Sequence, residues 1–95
     1  MKRAIELVYF EGCPHAIVAR ERVAEAMRSC GLQEEWTEWD LMDAKTPDWA
    51  KRFGSPTVLV DGEDVTGAGP GASAMACRAD GAPSTSVIVK ALVDW

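Results

Sequence analysis

The sequence has 95 residues, of which 47% are apolar, and it carries a formal net charge of −5. This length fits one domain, residues 1–95, and the acidic balance argues against the basic face that nucleic-acid binding requires. No segment approaches the roughly 18 consecutive apolar residues of a membrane-spanning helix, so we expect no membrane partner.

The first predicted elements are a strand and a long helix. Residues Ala4–Phe10 are rich in aliphatic and aromatic side chains, which predicts a buried strand. Pro14–Cys30 carries apolar residues at three- and four-residue spacing, which predicts a helix with one buried face. Pro14 suits the first helical turn and Gly31 follows the last residue, so both ends of this helix are marked.

The charged residues of this helix predict a solvated face. Arg20, Arg22 and Arg28 are interleaved with Glu21 and Glu25, so opposite charges lie within reach of one another along the helix. We therefore interpret the three arginines as surface residues and not as a nucleic-acid site.

A second strand and a short helix are predicted next. Polar and apolar residues roughly alternate over Glu35–Leu41, which favours a strand. Thr46 can cap a helix that has Pro47 at its first position and stops at Gly54. We expect Trp49 to pack this short helix against the sheet.

A hairpin and a long loop follow. The dipeptide Asp61–Gly62 joins two strand-like runs, Ser55–Val60 and Glu63–Val65, which is a strong signal for a two-residue turn. Thr66–Ala82 is rich in glycine and alanine and predicts an irregular loop, with one helical turn around Ala72–Cys77. Loops of this length in small domains are often functional.

The last element is a helix that Ser84 can cap and that runs to about Asp94. The predicted order is therefore β-α-β-α-β-β-α. This order indicates an α/β fold with a central mixed four-stranded sheet flanked by helices. Its first two strands are parallel with a right-handed connection, and the closing hairpin is antiparallel beside them.

Two short motifs carry a resemblance to a known family. Gly12–Ala16 (GCPHA) follows the first strand and opens the first helix, and Gly54–Val58 (GSPTV) precedes the third strand. In these motifs, and in element order over the whole chain, the sequence resembles the thioredoxin-fold superfamily and is nearer to glutaredoxin-like proteins. The resemblance implies a thioredoxin-like fold in which Pro56 is a cis-proline facing the reactive Cys13.

The resemblance also implies which residues meet a substrate. The residue matching Pro56 helps to hold the substrate backbone in the family, and we expect Pro14, Ser55 and Thr57 to contribute to the same surface. Ala16 stands where the family's Cys-x-x-Cys motif has its second cysteine, so this chain has a monothiol form of the motif. We expect no tightly bound cofactor, and glutathione is a possible co-substrate.

Cys13 is the first candidate for chemistry. A thiol at the N-terminus of a helix faces unpaired N–H groups and the positive end of the helix dipole, which lowers its pKa and favours the nucleophilic thiolate. We expect Cys13 to be exposed. His15 lies two residues later, where an imidazolium could stabilise the thiolate or an imidazole could shuttle a proton. The alternative is that His15 is an ordinary exposed helix residue.

The other two cysteines have different interpretations. Cys77 could fold back as a resolving thiol, or it could clamp a soft metal such as Hg²⁺ or Cu⁺ together with Cys13. It could equally be a small apolar residue that packs within the loop. Cys30 lies on the apolar stripe of the first helix and predicts buried packing.

The expected compartment is the cytoplasm. The apolar run Leu7–Phe10 is too short for the hydrophobic region of a signal peptide, and Glu11 follows it directly. In the cytoplasm the cysteines are expected to be thiols. The oligomeric state stays open, with a monomer expected.

Three functions remain as hypotheses. The first is a monothiol thiol–disulfide oxidoreductase in which Cys13 acts on a protein or small-molecule disulfide, with Cys77 or an external thiol completing the cycle. The second is a soft-metal binding or resistance accessory protein that uses Cys13 with Cys77 or His15. The third is a thioredoxin-like scaffold that has lost redox activity and binds another protein.

Overall fold

Four strands form one mixed sheet. The computed structural model describes residues 4–67 and 82–93. The elements in chain order are β1 (Ile5–Tyr9), α1 (Pro14–Ser29), β2 (Thr37–Asp40), β3 (Thr57–Val60), β4 (Glu63–Asp64) and α2 (Thr85–Val93).

Strand β1 is paired along both of its edges. It runs parallel to β2, with Val8 opposite Trp39, and antiparallel to β3, with Val8 opposite Thr57. Helix α1 supplies the crossover that a parallel pair requires. Strands β3 and β4 are antiparallel, so the mixed four-stranded sheet predicted from the sequence is confirmed.

The two faces of the sheet are covered differently. Helices α1 and α2 pack on the face that receives Leu7 and Val58, whereas Val8 and Leu59 point to the opposite face, which the segment around 41–53 covers. Alternation along each strand produces this division, since successive side chains point to opposite faces. The larger cluster, on the helical face, consists of Ile5, Leu7, Ala19, Val23, Ala26, Met27, Val58, Val60, Ile88 and Leu92.

Helix α1 ends in a motif that its sequence specifies. Gly31 has φ of +71°, a conformation that suits glycine, and its N–H donates to the Arg28 carbonyl at 3.1 Å. The N–H of Leu32 donates to the Met27 carbonyl at 2.9 Å. These two bonds form a Schellman motif, so the predicted end of the helix is confirmed.

The predicted hairpin turn is also confirmed. Asp61 and Gly62 have φ of 53° and 85°, as a type I′ turn requires. The turn is fastened to the start of β1, because the Asp61 N–H donates to the Ala4 carbonyl at 2.8 Å and the Ala4 N–H donates to Asp61 Oδ1 at 3.0 Å.

Helix α2 begins directly after Ser84, the residue predicted to cap it. Ser84 Oγ accepts a hydrogen bond from the Val87 N–H at 3.2 Å, which satisfies one of the unpaired donors of the first turn. Ile88 and Leu92 are buried against α1 and the sheet. None of the helices in the described ranges is long and apolar enough to cross a membrane.

The short helix predicted from Thr46 to Gly54 is wrong in type and length. Only Ala50–Arg52 is helical, as a single 3₁₀ turn, and the Thr46 hydroxyl donates to the Asp40 carbonyl instead of capping a helix. The segment buries too few apolar side chains to support an α-helix of useful length. Trp49 stays 41% exposed and meets the Trp39 ring edge-on, with 5.8 Å between ring centroids.

The second strand, Thr37–Asp40, is shorter than the predicted Glu35–Leu41. Most of the loop predicted for Thr66–Ala82, together with its helical turn at Ala72–Cys77, lies outside the described residues.

Leu7 tests the importance of the larger cluster. It is fully buried at the centre of the sheet. We expect Leu7→Ala to lower the free energy of unfolding by about 2–5 kcal/mol, because it removes apolar contacts and leaves a cavity. Urea denaturation measures the loss, with Val93→Ala as the exposed control, expected to stay within about 0.5 kcal/mol of the parent. Equal losses in the two variants would contradict the assignment of the core.

Candidate functional site

A tight turn places Cys13 at the start of α1. Gly12 has φ of +93°, which lets the chain reverse immediately after β1. The Cys13 N–H then donates to the Phe10 carbonyl at 3.2 Å, and the Cys13 carbonyl accepts from the Ala16 N–H at 3.1 Å. Cys13 is therefore the N-cap residue of α1, as its position before Pro14 predicted.

The second motif, Gly54–Val58, lies beside Cys13 at the start of β3. Because β1 and β3 are antiparallel, the residues that precede β3 lie beside those that follow β1. The Phe10 N–H donates to Ser55 Oγ at 3.3 Å, and Cys13 Sγ lies 3.9 Å from the Ser55 carbonyl oxygen. The Ser55–Pro56 peptide bond is cis, the isomer that the resemblance implied. The fold thus brings together two motifs separated by about forty positions in the sequence.

The side chains of Cys13, Ser55 and Thr57 are buried and do not lie on an open surface. Cys13 is only 3% exposed, so the expectation that this thiol is exposed was wrong. Ser55 and Thr57 are completely buried, and Thr57 Oγ1 donates to the Gly54 carbonyl at 2.7 Å. The strand pairing and the turn around Cys13 cover the side chains of Cys13, Ser55 and Thr57. Their burial therefore depends on contacts between segments that are distant in the sequence. That Ser55, Pro56 and Thr57 bind a substrate stays a prediction.

His15 lies within the first motif, on the surface of α1. Its side chain is exposed. Pro14 is exposed beside it at the first turn of the helix. The proposed role of His15 in stabilising a thiolate remains a prediction.

The remaining cysteines do not complete a two-thiol site in the described residues. Cys30 is a thiol at the C-cap of α1, where it packs against the larger cluster but is only partly buried and not fully buried as predicted. The length of α1 separates it from Cys13 by roughly 25 Å. Cys77 lies outside the described residues. Among those that are described, no group of three or more His, Cys, Asp or Glu side chains could hold a metal ion.

A small pocket of about 150 Å³ opens beside Cys13. Arg20 lies over the Tyr9 ring, with its guanidinium carbon 4.5 Å from the ring centroid. Nε and Nη2 of Arg20 donate to the two carboxylate oxygens of Glu38, at 3.0 and 3.1 Å. The described residues that line the pocket are Tyr9, Phe10, Glu11, Gly12, Cys13, Pro14, Ala16, Ile17 and Arg20.

The contacts of Arg20 were not predicted from the sequence. Arg20 pairs with Glu38 on β2, Arg28 pairs with Glu34 beyond the helix, and Arg22 donates to the Ala82 and Pro83 carbonyls. These partners of the three arginines lie outside α1, whereas the sequence predicted partners among the glutamates of the same helix. One signal was available, because Arg20 follows Cys13 by seven positions and Ala16 by four, which places all three on one helix face.

The electrostatics of the pocket wall follow from these contacts. Burial raises the pKa of the Tyr9 hydroxyl, and the carboxylates of Asp40 and Glu38 raise it further. The hydrogen bond to Glu38 raises the pKa of the Arg20 guanidinium. Burial alone would raise the pKa of Glu38, but hydrogen bonds from Arg20 and Trp36 hold it below its usual value.

The lowered pKa of Glu38 predicts a pH-dependent contribution to stability. The contribution is fully present above the unfolded-state pKa of about 4.3 and is lost as the pH falls through the lower folded-state pKa. Because the side chains of Arg20 and Glu38 are 34% and 31% exposed, solvent screens the pair. We expect Glu38→Gln to cost about 0.2–1 kcal/mol at neutral pH and almost nothing at strongly acidic pH.

Urea denaturation at neutral and acidic pH measures this difference, with Glu34→Gln as a more exposed matched control. A cost for Glu38→Gln that does not change with pH would show that the ion pair contributes nothing.

Comparison of the chain with models of protein families, with curated proteins and with solved structures finds no match in any of the three.

Proposed function

We propose that this protein is a thiol–disulfide oxidoreductase with a thioredoxin-like fold that acts through the single motif thiol of Cys13. The observation that carries the proposal is the position of Cys13 Sγ, at the start of α1 and 3.9 Å from the Ser55 carbonyl oxygen. The strand order β2-β1-β3-β4, with a parallel first pair and an antiparallel hairpin, supports the same proposal.

The helix supplies the electrostatic part of the mechanism. Cys13 is the N-cap of a sixteen-residue helix. In its first turn Pro14 has no N–H group and the Ala16 N–H donates to the Cys13 carbonyl, so the helix dipole is the main source of positive potential at this end. A thiolate at this position lies at the positive end of the helix dipole, which favours the charged and nucleophilic form.

The reaction would proceed in three exchanges. The Cys13 thiolate attacks one sulfur of a disulfide, forms a mixed disulfide and releases the other half as a thiolate, which takes up a proton. Ala16 cannot supply a second thiol, so an external thiol such as glutathione attacks the Cys13 sulfur of the mixed disulfide, forms a new mixed disulfide with Cys13 and releases the first half of the substrate as a thiolate, which takes up a proton. A second molecule of that thiol then regenerates Cys13, and the two external thiols leave as one disulfide. Each turnover reduces one disulfide and oxidises two external thiols.

Ser55 is a positioning residue in this proposal. Its hydroxyl oxygen accepts from the Phe10 N–H, and its carbonyl lies against the Cys13 sulfur, so one buried residue contacts both ends of the turn that carries the thiol. Holding this turn fixes the direction from which a disulfide approaches Sγ. A group held in an attack geometry reacts faster than one that must find it.

The burial of Cys13 limits how a substrate reaches it. With 3% of the residue exposed, the thiol is reached through the small pocket that it helps to line. Small disulfides should therefore react more readily than folded proteins with buried disulfides.

The test compares thiol variants in the reduction of 2-hydroxyethyl disulfide by glutathione. We expect Cys13→Ser to lower kcat/KM by at least about a hundredfold, because it removes the nucleophile. Cys30→Ser is the matched control and should stay within about twofold of the parent, since Cys30 lies at the far end of α1. The pH dependence of Cys13 alkylation, in a background without the other cysteines, should show an apparent pKa below the value of about 8.5 for a model thiol.

A parent protein that reduces no disulfide, and whose Cys13 titrates like a model thiol, would overturn the proposal. The interpretation as a protein-binding scaffold would then take its place.

A further inference from the structure

We propose that the pocket beside Cys13 selects its disulfide substrates by charge, and that it favours small disulfides whose thiol halves carry amines over those that carry carboxylates. This inference rests on the proposed function of Cys13. It adds a substrate class that the motif alone does not specify.

The size and the lining of the pocket determine how large and how apolar a ligand it can bind. At about 150 Å³ it accommodates a small organic group and not a folded surface. Its apolar part includes Phe10 and Ile17, and Ile17 is 62% exposed although it is a large apolar residue. A short aliphatic arm attached to a disulfide sulfur suits such a surface, because burying its methylene groups is favourable.

The cation in the pocket wall is already neutralised. Among the described lining residues, Arg20 is the one with a positive charge, and two of its nitrogens bond to both oxygens of Glu38. Its guanidinium also lies over the Tyr9 ring. A carboxylate thus occupies the Nε–Nη2 edge with which an arginine usually holds an anion in a bidentate pair, and an aromatic ring lies against one face of the guanidinium.

The carboxylates outnumber that cation. Glu11 lines the pocket directly, and the carboxylates of Glu38 and Asp40 lie near enough to the pocket's Tyr9 to act on its hydroxyl group. Arg20 thus offsets one of three carboxylates. The formal charge of the whole chain, −5, has the same sign. A negative local potential concentrates cations and repels anions from a cleft.

The experiment uses three disulfides of similar size and different charge. They are cystamine, which is dicationic, 2-hydroxyethyl disulfide, which is neutral, and 3,3′-dithiodipropionate, which is dianionic. Mass spectrometry follows mixed-disulfide formation on Cys13 in the full chain carrying Cys30→Ser and Cys77→Ser. Each rate is divided by that of a neutral model thiol, N-acetylcysteine amide, with the same reagent, so that intrinsic reactivity cancels.

We expect the normalised rate for cystamine to exceed that for the dianion by about tenfold or more at low salt, with the neutral disulfide between them. At about 0.5 M salt the ratio should fall to roughly twofold, because screening removes the contribution of surface charges. Glu11→Gln should reduce the low-salt ratio by about threefold. Glu21→Gln is the matched control, since it removes the same charge from an exposed position of α1 outside the pocket lining.

The outcomes separate the two proposals. If none of the three reagents forms a mixed disulfide with Cys13, the proposed function itself fails. If mixed disulfides form at equal normalised rates, or fastest with the dianion, the charge selection is overturned and the oxidoreductase proposal stands. If Glu21→Gln changes the ratio as much as Glu11→Gln, the preference comes from the net charge of the protein and not from this pocket, and the inference is likewise overturned.

Discussion

The structure depends on the pairing of β1 with β3, two strands that are buried on both faces. Leu7 and Val8 are adjacent in sequence and both fully buried, and they lie opposite Val58 and Thr57. A shift of one residue in this register would turn every apolar side chain of a strand to the wrong face. The same register places Ser55 beside Phe10, so the packing of the core and the position of the Cys13 thiol are set by one constraint.

The features that could be predicted from the sequence are those with local causes. The end of α1 needs only a glycine at Gly31 and the carbonyls of the preceding turn. The hairpin needs only Asp61–Gly62, and the start of α2 needs only the hydroxyl of Ser84. Each signal acts over a few residues, so the rest of the fold does not have to be known. The run of aliphatic and aromatic side chains that predicts β1 is of the same kind.

The features that could not be predicted depend on distant partners. The residues that follow Thr46 are ones that commonly begin a helix. Within this segment, however, Ala50 and Phe53 are the apolar side chains that join the smaller cluster, and the segment forms a single 3₁₀ turn. Arg20 has glutamates nearby on its own helix, but the crossover brings it to Glu38 on β2 and the geometry there is bidentate. The burial of Cys13 likewise depends on β3 returning beside β1, which the motif GCPHA does not encode.

The pair of hydrogen bonds between Ala4 and Asp61 indicates a suitable position for attaching a label or a linker. These bonds close the end of the sheet at which β1 begins, whereas Cys13 follows the end at which β1 finishes. The two ends are about 16 Å apart along the five-residue strand. A fluorophore, an affinity tag or a linker to a solid support that is joined ahead of Ala4 would therefore depart from the side of the sheet remote from the thiol. Immobilised protein attached in this way would present its Cys13 end to the solution.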